Sequence, residues 1–134
     1  MRKAGVLMPV SALPSRVGAG ELGEAAFHFI ELLKKNHVKI WQILPLNPVG
    51  YGNSPYQPYS SCAGDEIYIS LDKLAEDGLL KTAPEAFLQN AKRVDYEAVR
   101  QYREPFLREA FEVFTKKKGQ ESLHIKICST GMGV

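Results

Sequence analysis

The chain has 134 residues, of which 45% are hydrophobic and 24% are charged, and its formal net charge is +2. These proportions are ordinary for a soluble globular domain and exclude a disordered chain. The charge is small, and the aromatic residues are not interleaved with a basic stripe, so no nucleic-acid partner is expected.

The cysteines and the first residues of the chain indicate the cellular compartment. Cys62 and Cys128 have no partners at metal-ligand spacing, so we expect two free thiols, no disulfide and no metal site. The first nine residues lack the apolar core of a signal peptide, and no run approaches membrane-spanning length. We therefore expect a cytoplasmic protein without a membrane partner.

The first third of the chain predicts a strand, a helix and a second strand. Residues 5–10 form a short apolar run that leads into a loop over residues 11–23. Residues 24–36 carry apolar side chains at three- and four-residue steps, which predicts an amphipathic helix. Residues 37–46 are a second apolar run, typical of a strand buried on both faces. Such a βαβ unit pairs its strands in parallel and binds ligands at their carboxyl ends.

Shorter elements are expected next. Residues 67–71 alternate like a short extended piece, and Asp72 is the expected cap of a helical turn that Gly78 ends. The Pro-Glu pair at residues 84–85 favours a helix that continues to residue 91.

A second helix is expected after Asp95, which is its expected cap. One face of this helix is apolar, and Pro105 should kink or break it. The residues on the apolar face are Val99, Tyr102, Phe106, Ala110, and Val113 or Phe114. Lysines 116–118 fit a solvated helix end.

Residues 41–61 read as a strand that becomes a binding loop. Prolines and glycines end the strand and stiffen the turns that follow. Among them lie Tyr51, Tyr56 and Tyr59, three flat amphipathic rings that suit the faces of sugars or other flat ligands. The alternative is a well-packed surface turn.

This segment also carries a family resemblance. Residues 41–57 read Trp-Gln-Ile-Leu-Pro-Leu-Asn-Pro-Val-Gly-Tyr-Gly-Asn-Ser-Pro-Tyr-Gln. The run closely resembles the signature of the amylomaltases, the 4-alpha-glucanotransferases of glycoside hydrolase family 77. Further pieces in the family's order and spacing extend the resemblance over residues 3–115, among them Gly5-Val6-Leu7-Met8, Leu13-Pro14-Ser15, Ala63-Gly64-Asp65 and Arg93-Val94-Asp95-Tyr96.

The resemblance implies an α/β fold, the N-terminal part of a (β/α)8 TIM barrel. Residues 1–60 would form the first βαβ unit with its glucan-binding loop, and residues 61–118 a mainly helical insertion. A full barrel needs roughly 250 residues, so the strands would lack some of their neighbours. Residues 119–134 depart from the family's pattern. One explanation is a truncated or frame-shifted reading, and the other is a genuine short paralogue whose tail serves as a substitute edge strand.

The implied activity is transfer of 4-alpha-glucan segments between maltodextrins, by a retaining double displacement without a metal or organic cofactor. The family's nucleophile, acid/base and stabilising aspartate lie on later strands and have no matching positions here. Asp65 and Glu66, adjacent in a predicted extended segment, would point to opposite faces and cannot form the pair. We therefore assign no catalytic residue and expect the chain alone to be inactive.

The resemblance does carry over binding residues. Tyr56 matches a tyrosine that lines the subsite next to the cleaved bond, Ser54 matches the serine beside it, and Tyr51 matches a residue of a second glucan groove. Arg100 occupies the position that supplies that groove's second aromatic residue in some members. Trp41 belongs to the signature but is expected in the core. The competing class is a non-catalytic glucan-binding or interaction module that uses the same tyrosines.

Overall fold

The computed structural model describes residues 2–87 and 93–118, without the side chains of Tyr51 and Lys118. It contains two strands, three α-helices and three 3-10 turns. The strands and helices are β1 (Gly5–Leu7), α1 (Glu24–Lys35), β2 (Ile40–Gln42), α2 (Leu71–Glu76) and α3 (Tyr96–Lys118). The 3-10 turns are Val10–Ala12, Tyr51–Asn53 and Glu66–Tyr68.

The predicted parallel pairing of the two strands is confirmed. β1 and β2 pair in parallel, with Val6 opposite Trp41. Both strands are shorter than the predicted 5–10 and 37–46. β1 cannot continue because Pro9 has no backbone N–H and the chain then turns at Val10. β2 starts late because His37 takes a left-handed conformation, with φ at 60°.

The predicted helix between the strands is confirmed as α1. It covers one face of the sheet, where Phe29 meets Trp41 edge to face with ring centroids 5.1 Å apart. The Trp41 indole N–H donates to the carbonyl oxygen of Met8 at 2.9 Å. Trp41 is therefore a packing residue, as expected.

The other face of the sheet is open. Cross-strand partners share a face, so Val6 and Trp41 lie towards α1, while Leu7 and Ile40 lie on the opposite face. Leu7 is 61% exposed and Ile40 is 48% exposed. The expected burial of β2 on both faces is thus not found, because α1 is the element that covers the sheet among the described residues.

The segment after the strands corrects two predictions. Residues 66–68 form a 3-10 turn where an extended piece was predicted. α2 begins at Leu71, and its cap is Ser70, whose hydroxyl oxygen accepts from the Lys73 N–H, so Asp72 is not the cap. Gly78 ends the helix with φ at 66°, as predicted.

The helix predicted from residue 84 is not found at residues 84–87, and residues 88–91 lie outside the description. Pro84 is buried there, and the Phe87 N–H donates to the Arg16 carbonyl at 2.7 Å, a long-range bond that holds the segment out of helix.

Helix α3 begins where it was predicted. The Asp95 carboxylate accepts from the Ala98 N–H at 3.1 Å, which confirms the cap. Val99 and Ala110, on the predicted apolar face, are buried. The helix continues through Pro105, which is exposed, so the predicted break is not found.

Two hydrophobic clusters form the core. One lies between the sheet and α1, around Val10, Leu13 and Ala26. The other lies under α3, around Ile67 and Val99. Tyr68 packs against both clusters and thereby joins the βαβ unit to α3. Cys62 is exposed and free, whereas Cys128 and the predicted tail at 119–134 lie outside the described residues.

Candidate functional site

The chain leaves β2 into a closed loop at residues 47–64, which we call the tyrosine loop. The Asp65 N–H donates to the Leu46 carbonyl at 2.7 Å and closes the loop at its base. Just inside, the Asn47 side-chain amide donates to the Ser61 and Ala63 carbonyls at 2.9 and 3.0 Å. One asparagine therefore holds both ends of the loop together.

The loop is also braced internally. The Gly50 N–H donates to the Gln57 carbonyl at 3.1 Å, and the Tyr59 N–H donates to the Pro48 carbonyl at 3.0 Å. A Cβ at Gly50 would stand 2.9 Å from that Gln57 oxygen, so the strands of the loop approach this closely because position 50 is glycine. Gly52 then turns the chain with φ at 82°.

The predicted binding residues are presented at the tip of this loop. Tyr56 is 72% exposed and Tyr59 is 80% exposed, which is unusual for rings of this size. The Ser54 hydroxyl accepts from the Tyr56 N–H at 3.4 Å, so these two predicted residues are brought together. Tyr51 opens the 3-10 turn, and its side chain lies outside the description.

A cavity of about 180 Å³ lies between the loop and the carboxyl ends of the strands. Ser11, Asn53, Asp65, Tyr68 and Tyr96 are the polar residues among those that line it. Burial raises the pKa of the Tyr68 hydroxyl, and the nearby Tyr96 and Asp65 side chains raise it further. A hydrogen bond with Ser11 lowers this pKa but does not cancel the rise. Tyr68 is thus a protonated hydroxyl at neutral pH that can donate or accept a hydrogen bond.

Arg100 on α3 fixes the base of the loop. Its guanidinium donates to both oxygens of Asp65, at 2.9 and 2.6 Å, and to Glu66 at 2.7 Å. The Asp65 side chain is 2% exposed, and the hydrogen bond with Asp65 is the main cause that raises the pKa of Arg100. The pair is bidentate, the geometry in which arginine binds carboxylates best.

The two acids are arranged differently from the prediction. Asp65 and Glu66 do not point to opposite faces, because the 3-10 turn that begins at Glu66 brings both carboxylates to Arg100. The sequence did not predict this role of Arg100, since Asp65 and Arg100 are 35 residues apart and no local pattern links them. Tyr102, two residues further along α3, stacks on Phe87 with ring centroids 4.6 Å apart.

A second, more buried ion pair lies nearby. Arg103 is 1% exposed, and its guanidinium donates to the Glu21 carboxylate at 2.9 Å and to the Ile69 carbonyl. The Ser70 hydroxyl donates to the same carboxylate at 2.7 Å. Glu21 is therefore a structural residue that holds Arg103 and Ser70. The two arginines together tie α3 to the loop between β1 and α1 and to the segment that follows the tyrosine loop.

Comparison with known proteins identifies the family. The family model described as 4-alpha-glucanotransferase, of glycoside hydrolase family 77, matches residues 8–127. The chain belongs to this family. The matched residues include the tyrosine loop and the two buried-pair arginines of α3, Arg100 and Arg103.

Family-77 relatives support the assignment. The 4-alpha-glucanotransferase of Synechocystis is 45% identical over 118 residues, which are 84% of this chain and 23% of that protein. The Thermus thermophilus enzyme is 41% identical over 120 residues, 90% of this chain and 24% of the relative. Amylomaltase from Streptococcus agalactiae, solved in complex with acarbose, superimposes with a TM-score of 0.88 at 32% identity, over 98% of this chain and 27% of that one. The chain spans about a quarter of the length of these relatives.

The acids nearest the tyrosine loop of this family-77 chain are engaged in ion pairs. The tyrosine loop contains no Asp or Glu, and the two carboxylates that follow it are both paired with Arg100. Within residues 2–87 and 93–118, no cluster of His, Cys, Asp and Glu could hold a metal ion, and no helix is long and apolar enough to cross a membrane.

Proposed function

We propose that this chain is the glucan-binding N-terminal part of a cytoplasmic 4-alpha-glucanotransferase that moves 4-alpha-glucan segments between maltodextrins. The observation that carries the proposal is the braced tyrosine loop, which presents Ser54 and Tyr56 beside the carboxyl end of β2 in a segment that the family model matches. The carboxyl ends of parallel strands are where α/β folds place their ligands.

In this proposal β1, α1 and β2 are the first βαβ unit of a (β/α)8 barrel, and residues 61–118 are a mainly helical insertion after the second strand. The parallel pairing of β1 with β2, and the helical content of residues 61–118, support it.

The rings account for the choice of substrate. A glucan offers apolar C–H faces between rims of hydroxyls, and an exposed tyrosine can stack on such a face while its own hydroxyl stays hydrated. Tyr56 and Ser54 would line the subsite next to the cleaved bond, and Tyr51 would serve a second glucan groove. A maltodextrin is neutral, which agrees with a loop that has no charged residue.

The chemistry requires residues that this chain does not supply. A retaining transfer needs a carboxylate nucleophile and an acid/base carboxyl about 5–5.5 Å apart. The acids nearest the loop, Asp65 and Glu66, are held by Arg100 as ion-pair partners. In this proposal the nucleophile and the acid/base belong to later strands of the family-77 barrel, as the family resemblance implies, and residues 1–134 alone leave maltotriose unchanged.

A chimera tests the proposal. Residues 1–118 of this chain replace the matched segment of the Thermus thermophilus relative, and the product is incubated with maltotriose. Glucose and longer oligomers are the expected products, and mutation of Tyr56 to Ala in the chimera should lower their rate of formation. A folded chimera that binds maltoheptaose but forms no products favours the alternative, a non-catalytic glucan-binding module, which the absence of acids from the loop would suit.

A further inference from the structure

The cavity between the tyrosine loop and the carboxyl ends of the strands, with a volume of about 180 Å³, is not used by the proposed function. We call it the loop pocket. Its apolar walls come from the segments after both strands, from the tyrosine loop and from the 3-10 turn that follows: Pro9, Val10, Leu44, Val49, Pro55 and Ile67. Its polar residues are Ser11, Asn53, Asp65, Tyr68 and Tyr96. Apolar walls with a few converging polar groups are the usual composition of a small-molecule site.

The polar groups that the loop pocket offers to a ligand are uncharged. The Asp65 carboxylate is already held, because it accepts from Arg100 at 2.9 and 2.6 Å and from the Ile67 N–H at 3.0 Å. The remaining polar side chains carry a hydroxyl or a carboxamide, groups that both donate and accept hydrogen bonds. Sugar hydroxyls have the same double capacity, whereas a metal ion or a phosphate would need unpaired charges. The loop pocket is therefore suited to an uncharged, hydroxyl-rich ligand.

Asn53 lies at the opening of the loop pocket, since it is exposed and also lines the cavity. Its φ is 52°, in the left-handed region that asparagine tolerates better than most residues other than glycine. Its backbone N–H donates to the Gly50 carbonyl at 3.2 Å and closes the turn. Its carboxamide makes no hydrogen bond within residues 2–87 and 93–118. The backbone role needs no side chain, so the carboxamide is available to a ligand.

The loop pocket has room for one sugar unit but not for a glucan segment. Its volume of about 180 Å³ corresponds to about six water molecules of the liquid, and sites for larger ligands measure roughly 300–1,000 Å³. Asn53 and Pro55, which line the pocket, alternate along the chain with Ser54 and Tyr56. The pocket and the exposed Tyr56 ring therefore belong to the same turn, and neighbouring units of one glucan could occupy both.

We propose that the loop pocket is a subsite for a single glucose unit, and that the Asn53 carboxamide and the Tyr96 hydroxyl bind the hydroxyls of this unit. The inference rests on the proposed function and adds a second kind of contact to it. Tyr56 would stack on one unit through its ring, while the loop pocket would bind the next unit through hydrogen bonds. The apolar walls of the pocket would then receive the C–H groups of that unit.

Asn53→Gly separates the role of the carboxamide from that of the backbone. Glycine adopts a φ of 52° freely and keeps the N–H bond to Gly50, so thermal stability should be unchanged or higher. Binding of maltoheptaose to the full chain, measured by titration calorimetry, should nevertheless weaken roughly three- to tenfold, the effect of losing one or two neutral hydrogen bonds. The matched control is His37→Gly, because His37 also has a positive φ, 60°, and does not line the loop pocket. This control should bind maltoheptaose like the unmodified chain.

Tyr96→Phe tests the loop pocket from outside the tyrosine loop. Tyr96 is the first residue of α3, so a change in the flexibility of the loop cannot explain an effect of removing its hydroxyl. This variant should weaken maltoheptaose binding by a similar factor, and the double variant with Asn53→Gly should bind more weakly than either single one. Hydrogen exchange at the Gly50 and Tyr59 amides, whose bonds brace the loop, should be the same in Asn53→Gly as in the unmodified chain.

Tyr56→Ala distinguishes this inference from the proposed function. If Tyr56→Ala weakens maltoheptaose binding while Asn53→Gly and Tyr96→Phe bind like the unmodified chain, the loop pocket is not a subsite and the proposed function stands. If the unmodified chain binds no maltoheptaose, the proposed function fails and the subsite fails with it. Faster exchange at the Gly50 amide in Asn53→Gly, together with normal binding by Tyr96→Phe, would mean that Asn53 only shapes the loop, which also overturns the proposal.

Discussion

Arg100 is the residue that couples the tyrosine loop to α3, and its removal is the most direct test of how the loop is held. In Arg100→Met the Asp65 carboxylate, 2% exposed, loses both guanidinium bonds, and we expect unfolding free energy to fall by about 3 kcal/mol. Urea unfolding measures this change.

The matched control for Arg100 is Arg108→Met on the same helix. Arg108 pairs with Glu104 at 2.7 Å, but the two side chains are 70% and 65% exposed, so the loss should stay below about 1 kcal/mol. Equal effects of the two substitutions would mean that the Asp65 pair has no special role.

Tyr56 is the residue whose loss should be felt in glucan binding. Tyr56→Ala removes the stacking ring and should weaken binding of maltoheptaose by about 1 kcal/mol, or roughly fivefold. Titration calorimetry on the chain measures this. Phe27→Ala, which truncates an exposed ring on α1, is the control, and an identical loss in both variants would count against the loop as the binding site.

Ionisation of Tyr68 should lower the unfolding free energy of the chain at alkaline pH. Because its folded-state pKa lies above the ordinary value of 10.0, the stability linked to its protonated form is fully present below pH 10 and is lost as the pH rises through the folded pKa. In Tyr68→Phe the decline in unfolding free energy above pH 10 should therefore be shallower. Urea unfolding at several alkaline pH values tests this, with Tyr59→Phe as the exposed control; parallel curves for Tyr68→Phe and the unmodified chain would contradict it.

At the level of elements, α3 contains one avoidable weakness. Pro105 lies inside the helix, is exposed, and cannot donate the backbone hydrogen bond that its position requires. Pro105→Ala should raise the unfolding free energy by about 1–3 kcal/mol. Thermal unfolding followed by circular dichroism measures the gain. Glu112→Ala, at another exposed position of α3, should change stability by less than about 0.5 kcal/mol, and a similar gain there would show that helix propensity, not the proline, is responsible.

The secondary-structure elements differ in whether neighbouring residues alone could predict them. The bounds of α1 and the start of α3 follow from periodicity and from the cap at Asp95, signals that lie within four residues of the feature they predict. The non-helical course at residues 84–87 depends instead on the bond from Phe87 to Arg16, which comes from a distant segment. Strand ends were missed for a similar reason, since they depend on the turn at Val10 and on the backbone of His37.

The candidate site divides in the same way. The loop could be predicted from its glycines, prolines and tyrosines, because these residues determine turns at their own positions in the chain. Its anchoring was not predictable: Asn47 reaches carbonyls 14 and 16 residues away, and Arg103 reaches Glu21 across 82 residues. Long-range polar pairs of this kind leave no periodic trace in a sequence.

At the level of the whole molecule, the proposed boundary at residue 60 should not separate two independently folding parts. Tyr68 packs on both clusters, and Glu21 pairs with Arg103 across the boundary. A peptide of residues 1–60 should therefore be largely unfolded by circular dichroism, while the full chain should unfold in one transition. Two separate transitions, or a folded 1–60 peptide, would show that the βαβ unit is autonomous.

The closed base of the tyrosine loop has a consequence for protein engineering. Its two ends, the Leu46 carbonyl and the Asp65 N–H, are a single hydrogen bond of 2.7 Å apart, and Asn47 carries its own clasp to Ser61 and Ala63. These hydrogen bonds close the loop before any ligand binds. Ligand binding therefore does not have to supply the conformational entropy cost of bringing the loop ends together. A graft of residues 46–65 therefore needs a scaffold that offers two chain ends at this spacing and an arginine opposite the Asp65 carboxylate.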